Sequence, residues 1–211
     1  ENMLSVNSEI RILETLSFPS EILERNLRID FYLPPDTRTG NGVFDVLLVN
    51  DGQGNFRNVA QQAMVAFNAN GEAAGSMTAA LGDYSGDQRL DLLVSRLGYG
   101  SLYTAQPDGI FQDRMMTSGL GALTAQYVGW GSNFLDQDND GKLDAMIANG
   151  DAHHMVGWES LLLENKGDGT FTDAADKGGA FFRTKIRARG SYLLDIDNDG
   201  RVDILVTAMG D

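Results

Sequence analysis

Short aliphatic runs recur along the chain, each set between segments rich in Asp and Gly. Leu90–Ser95, Leu143–Ala148 and Val202–Thr207 share one pattern: an apolar residue, an Asp, then three or four small or aliphatic residues. Runs this short and this aliphatic read as buried strands, not helices. In the clearest unit the pattern predicts strands at Met77–Leu81, Leu90–Ser95, Ser101–Ala105 and Ile110–Met115. Four short antiparallel strands per repeat of about 45–60 residues make the blade of a β-propeller. The expected fold is therefore all-β, with about three and a half to four four-stranded blades. The repeats span 37–70, 76–119, 126–177 and 186–211, and the last stops after its second strand. Residues 1–36 read differently. Glu9–Phe18 and Asn26–Leu33 predict two strands around a Pro19-Ser20 turn, with Pro34-Pro35 ending the second. They form an N-terminal hairpin that either supplies strands to close the last blade or belongs to another fold.

The segments between the first two strands of each repeat carry the chemistry. Asp136, Asp138, Asp140 and Asp144 stand at positions 1, 3, 5 and 9 of one loop, with Gly141 at position 6. Asp195, Asp197, Asp199 and Asp203, with Gly200, repeat the arrangement. Odd spacing lets alternate carboxylates converge, Gly permits the sharp turn, and oxygen donors suit a hard cation such as Ca2+. Lys142 and Arg201, at position 7, would contribute backbone carbonyls while their charged side chains point away. An EF-hand is excluded because position 12 is Ile147 or Val206 in place of Glu, and strands, not helices, follow. A third loop holds Asp83, Ser85, Asp87, Arg89 and Asp91, with Ser at position 3 and Gln88 in place of the turn Gly. A fourth, Thr37–Asp45, keeps only Gly42 and Asp45 and reads as a structural turn. Two Ca2+ ions are expected, with the Asp83 loop a third candidate.

A second motif recurs as Asn50–Phe56, Gln106–Phe111 and Asn165–Phe171. These read as hairpin turns with Gly at positive φ, followed by an inward-facing aromatic. The distance from each Phe to the next closing Asp is nearly fixed, at 35, 33 and 32 residues (Phe56–Asp91, Phe111–Asp144, Phe171–Asp203). The return distance, from each closing Asp to the next Phe, grows through 11, 20 and 27. Core strands of constant length joined by one free surface loop give this behaviour.

Composition changes the picture in three ways. The net charge of −14 opposes nucleic acid, whose phosphates need a basic surface. Eleven of the thirty acids sit in the two strong loops and the third candidate, so bound cations would remove much of that charge and link binding to folding. No Cys is present, which excludes disulfides and thiolate metal sites. No apolar stretch approaches the ~18 residues of a membrane span. The abundant Ca2+ outside the cytoplasm favours a secreted, periplasmic or cell-surface location. The first residue is Glu1, not Met, which admits a removed leader or upstream domain.

The Asp-x-Asp-x-Asp-Gly-x-x-Asp loops, their aliphatic strands and Asn165-x-Gly-Asp-Gly-x-Phe171 resemble FG-GAP/VCBS repeats of the integrin-α-like propeller type, over about residues 43–211. Ala148-Asn149-Gly150 and Leu161–Asn165 look most like the cartilage-acidic-protein and enediyne-associated branch. The resemblance implies Ca2+ in loops on one propeller face and a role in adhesion or assembly. Propellers of this type commonly have about seven blades, so the chain is a fragment of one or a compact four-bladed form. A second resemblance, Phe18–Pro35 followed by Val46–Gln53, is to the opening strands of esterase-D-like α/β-hydrolases. No Gly-x-Ser-x-Gly elbow follows it, so esterase activity is not implied.

Other chemistry is sparse. His153 and His154, the two histidines, lie in the long insertion of the third repeat and read as loop residues near a partner-contact region. Trp158, in the same insertion, is a candidate contact residue, whereas Trp130 reads as core just before a strand. Arg183, Lys185, Arg187 and Arg189 alternate, as on one solvated strand face. The function read from the sequence is a calcium-binding interaction module with a protein or glycan partner, possessing no catalytic group and suited to a larger assembly. The alternative is a secreted hydrolase or lyase on a propeller scaffold, using His153 or His154.

Overall fold

A computed structural model of the chain describes residues 15–20, 25–30, 45–68, 71, 75–151 and 156–210. Two compact units divide the chain, Glu1–Asn41 and Gly42–Asp211. The described part of the first is an antiparallel ribbon of β1 (Thr15–Ser20) and β2 (Arg25–Asp30), with Thr15 opposite Asp30 and Ser20 opposite Arg25. Pro19 and Ser20 are therefore ladder positions, opposite Asn26 and Arg25, and not the expected turn. A two-stranded ribbon leaves each strand one free edge, where a missing N–H is tolerated. Pro34-Pro35 lies outside the described residues.

The described residues of the second unit form four antiparallel sheets. The first is a hairpin of β3 (Leu48–Asn50) and β4 (Phe56–Asn58). The second runs in order through β5 (Ser76–Gly82), β6 (Asp91–Arg96), β7 (Ser101–Ala105) and β8 (Phe111–Asp113). The third repeats it with β9 (Gly129–Leu135), β10 (Asp144–Asn149), β11 (Leu161–Asn165) and β12 (Phe171–Asp173). The fourth holds β13 (Ala188–Leu194) and β14 (Asp203–Ala208). A five-residue helix, α1 (Leu120–Thr124), joins the second sheet to the third, and a 3-10 turn at Ala180–Arg183 precedes the fourth. This nearly all-β meander agrees with the expected propeller class, with no closed ring among the described residues.

Register repeats as closely as sequence. Gly82 pairs with Asp91, Leu135 with Asp144 and Leu194 with Asp203, so each acid loop closes the same hairpin at the same rung. At the other end of each pair a bulge leaves one residue unpaired, at Met77, Trp130 and Arg189. A bulge bends its strand and re-aims the extra side chain. Arg189 here sits over the Trp130 ring, 4.5 Å from its centroid.

The aliphatic runs are nearly continuous because the central strands are buried on both faces. Leu93 and Leu102 face Phe134, Ala145, Ile147 and Leu163 between the second and third sheets. Leu92, Val94 and Tyr103 face the other way, onto Ala60, Ala63, Val65 and Ala66. Met146, Ala148 and Leu162 likewise meet Phe182 and, from the fourth sheet, Ala188, Leu193, Ile204 and Val206. Period-two alternation thus assigns neighbouring residues to different cores. On β14 the alternation continues, but Leu205 is 52% exposed where its counterparts Leu93 and Met146 are fully buried.

Three sequence expectations change. Phe171 is buried and Phe111 packs against a core, but Phe56 is 64% exposed, because the short β3–β4 hairpin is exposed along both strands. The basic residues at 183–189 share no strand face, since Arg183 ends the 3-10 turn and Arg187 precedes β13. Arg183 instead pairs with Asp176, and Lys185 lies 3.8 Å from Glu159. Trp130 lies inside β9 and is half-buried, its indole N–H donating to the Gly150 carbonyl at 2.7 Å.

Candidate metal centre

Each acid loop folds around its first carboxylate. Asp136 accepts the backbone N–H of Asp140 at 3.1 Å and of Gly141 at 2.9 Å. Asp195 accepts those of Asp199 at 3.1 Å and Gly200 at 3.0 Å. Asp83 accepts Gly86 at 2.8 Å, Asp87 at 3.0 Å and Gln88 at 2.7 Å. Folding back onto its own first side chain drives the backbone through the left-handed region twice: at Asn139 and Gly141 (φ 56° and 82°), Asn198 and Gly200 (59° and 81°), and Gly86 and Gln88 (76° and 68°). Gly and Asn are the residues that adopt it readily. Gln88 takes the same φ without their freedom.

The ninth-position carboxylate anchors the loop to the sheet. Asp144 is buried, and its two oxygens accept the backbone N–H of Asn165 at 2.8 Å and of Gln137 at 3.1 Å. Asp91 accepts Ala105 at 2.9 Å and Ser85 at 3.1 Å, and Asp203 accepts Ile196 at 2.9 Å. Burial pushes the Asp144 and Asp91 carboxyls above the usual carboxylate range against the pull of those N–H donors. For Asp144, the nearby charges of Asp138 and Asp140 push in the same direction as burial.

Asp136, Asp138 and Asp144 each offer an oxygen within 4.8 Å of the others, and Asp195, Asp197 and Asp203 do the same. Three carboxylates on so small a volume, with Gly turning the chain behind them, form a donor set that fits a hard divalent cation. The third loop lacks such a triad because Ser85 occupies position 3, where its hydroxyl approaches Asp83 at 3.4 Å. The fifth-position acids stand apart from the triads. Asp140 pairs with Lys142, Asp199 with Arg201 and Asp87 with Arg89. Those position-7 side chains fold onto the loop instead of pointing away, since a carboxylate two residues back is the nearest counter-charge. Lys142 holds the Asp140 carboxyl below its ordinary range. These pairs are largely exposed and contribute little stability by themselves.

Of the other candidates, Trp158 is half-buried, bridged through its backbone to Ile186 and edge-on to Tyr127 with centroids 5.5 Å apart. His153 and His154 lie outside the described residues. Sequence reasoning missed Tyr84, which stands at position 2 of its loop and is buried between Phe134 and Phe171, with centroids at 5.8 and 5.6 Å. It also missed Asn165, assigned to plain turn chemistry. The signal was present for Tyr84 alone, an aromatic inside an otherwise polar loop.

Residues 136–206 match the FG-GAP-like repeat. The match spans the two strongest acid loops and the strands from β10 through β13 into β14, and it supports the coarse family resemblance. The finer branch and the esterase resemblance gain no support. No curated protein matches the chain significantly. Repeats of this family serve as protein-interaction modules, and no helix among the described residues is long and apolar enough to cross a membrane.

Proposed function

We propose that the chain is a calcium-binding, propeller-type interaction module that works outside the cytoplasm. The observation that carries this is the recurrence of one carboxylate triad, in one register, on two neighbouring sheets inside an FG-GAP-like repeat. In each loop the triad supplies side-chain oxygens, Asp140 or Asp199 a fourth acid, and Lys142 or Arg201 a backbone carbonyl. Bound Ca2+ would supply the positive charge that three converging carboxylates lack. The chain's own part is to hold those oxygens through the hydrogen bonds to Asp136, Asp144 and their counterparts. The Asp83 loop, with Ser85, Asp87, Arg89 and Asp91, is a weaker third site. Repeats bounded near 37–70, 76–119, 126–177 and 186–211 would present the loops together as a stiffened rim for a protein partner. Trp158, with His153 and His154 of the same insertion, is a contact candidate for that partner.

Calorimetric titration of Ca2+ into chelator-stripped protein, with thermal melts in Ca2+ and EDTA, tests this. Two strong sites and a higher Tm in Ca2+ are expected, with one site lost in Asp138→Asn and the other in Asp197→Asn. A Kd one hundredth of the free Ca2+ would stabilise by about 2.7 kcal/mol per site. Absence of binding, or binding untouched by both substitutions, would refute the metal assignment.

A further inference from the structure

Asn165 opens the turn between β11 and β12 and is almost fully buried. Its Oδ1 accepts the Gly167 N–H at 2.9 Å, which is ordinary turn chemistry. Its other three bonds reach farther. The backbone N–H holds the Asp144 carboxylate. The side-chain amide donates to the Leu143 carbonyl at 3.0 Å and to the Tyr84 carbonyl at 2.9 Å. Leu143 belongs to the acid loop of its own sheet, Tyr84 to that of the preceding sheet. One amide group therefore ties position 8 of one loop to position 2 of the loop before it.

The surroundings make that tie stiff. Gly82 leaves room where a Cβ would come within 2.8 Å of Leu143 and 2.9 Å of Phe134. Tyr84 is fixed again by its hydroxyl, 2.6 Å from Thr104 Oγ1. The equivalent residue of the second sheet is Ala105, whose N–H still holds Asp91 but whose side chain can tie nothing. In the first sheet Asn50 retains the turn bond, accepting the Gly52 N–H at 2.7 Å, and is exposed. Among the described residues this amide bond from the turn to the preceding acid loop occurs only at this junction.

We infer that Asn165 is a positioning residue that clamps loop 83–91 to loop 136–144, so that order in one loop is transmitted to the other. The clamp itself is independent of metal. Its consequence for Ca2+, that occupying 136–144 orders 83–91, rests on the function proposed above. A buried amide carries such coupling well, because breaking it strands two carbonyls away from water.

Amide hydrogen exchange on Asn165→Ala tests both parts. Alanine at the equivalent position of the second sheet shows that the backbone bond to the ninth-position Asp survives it. Asn165→Ser, which keeps a turn acceptor and loses the long-range donor, serves if the alanine variant fails to fold. In EDTA, exchange at Ser85–Gln88 is expected to quicken about five- to tenfold, with β9 unchanged. In Ca2+, wild-type protein should slow exchange in both loops, and the variant in 136–144 alone. Unchanged exchange at Ser85–Gln88 in EDTA overturns the clamp. A Ca2+ response there that persists in the variant overturns the transmission. If wild-type 136–144 shows no Ca2+ response, the calcium function and the transmission fall together, while the EDTA comparison still decides the clamp.

Discussion

Replacing Gln88 by Gly should stabilise the protein although it removes a side chain. Gln88 holds φ at 68°, where the parallel loops place Gly141 and Gly200. That conformation costs an ordinary L-residue roughly 1–2 kcal/mol. Glycine avoids the cost but loses roughly 0.5–1 kcal/mol through the extra freedom of its unfolded chain. The Gln88 side chain is exposed, and its N–H to Asp83, at 2.7 Å, survives the change. A net gain of roughly 0.5–1 kcal/mol remains, or about 1–4 °C in Tm for a unit of this size. Urea and thermal unfolding in EDTA keep metal out of the comparison. The reciprocal Gly141→Gln and Gly200→Gln should lose a similar amount. A lower Tm for Gln88→Gly, or no loss in both reciprocal variants, would refute the strain argument. Adding Ser85→Asp to Gln88→Gly completes the acid pattern of the third loop. Calorimetry should then count one more strong Ca2+ site than in the parent, and an unchanged count would show that loop sequence alone does not make the site.

Three further outcomes follow from single contacts. Asp144→Ala leaves the N–H groups of Asn165 and Gln137 without their acceptor, so it should destabilise by roughly 2 kcal/mol even in EDTA, read from denaturant midpoints. Gly131→Ala would put a Cβ 2.5 Å from the Ser191 nitrogen, where β9 meets β13; roughly 1–3 kcal/mol of destabilisation is expected, and a neutral result would mean the sheets separate freely. Burial raises the Asp45 carboxyl above its usual range against the pull of Ser76 and Arg96. Its ionised form therefore weakens the fold above the folded-state pKa, and that penalty fades as pH falls through it. Asp45→Asn should show its greatest relative stability near neutral pH, the advantage shrinking on acidification toward the ordinary carboxylate value; a constant difference would refute the assignment.

The loops, the two complete blade-like sheets and the half sheet were legible because each is written locally. Nine-residue acid spacing, Gly at position 6 and aliphatic runs of strand length need no long-range information. The ends of strands were less legible: β5 and β6 each extend or begin a residue from the expected limits, and β8 is shorter, being three residues at the edge of its sheet. Phe56 misled because an aromatic after a turn faces inward only where another layer covers it. The basic alternation at 183–189 misled because period two means one face only along a continuous strand, and here Arg183 ends the 3-10 turn while β13 begins only at Ala188. The two bulge residues that meet, Trp130 and Arg189, stand 59 positions apart with nothing local to connect them.

What sequence spacing did not reveal is that the two ends of each strand pair have opposite character. At one end the register closes with an acid loop, gathering carboxylates that repel one another. At the other, the same register breaks at a bulge, where Arg189 lies over Trp130 and donates to the Asp151 carbonyl at 2.8 Å. The first end is assembled from side chains two to eight residues apart, so the chain can write it once and copy it. The second depends on neighbouring sheets approaching closely enough for their bulges to meet, which Gly131 permits by leaving Ser191 unobstructed. Copying the loop reproduces donor atoms, while packing between copies decides how far one loop constrains the next. On that division, substitutions within a loop should alter its own cation affinity, and substitutions at Gly82, Tyr84 or Asn165 should alter how the loops respond to one another.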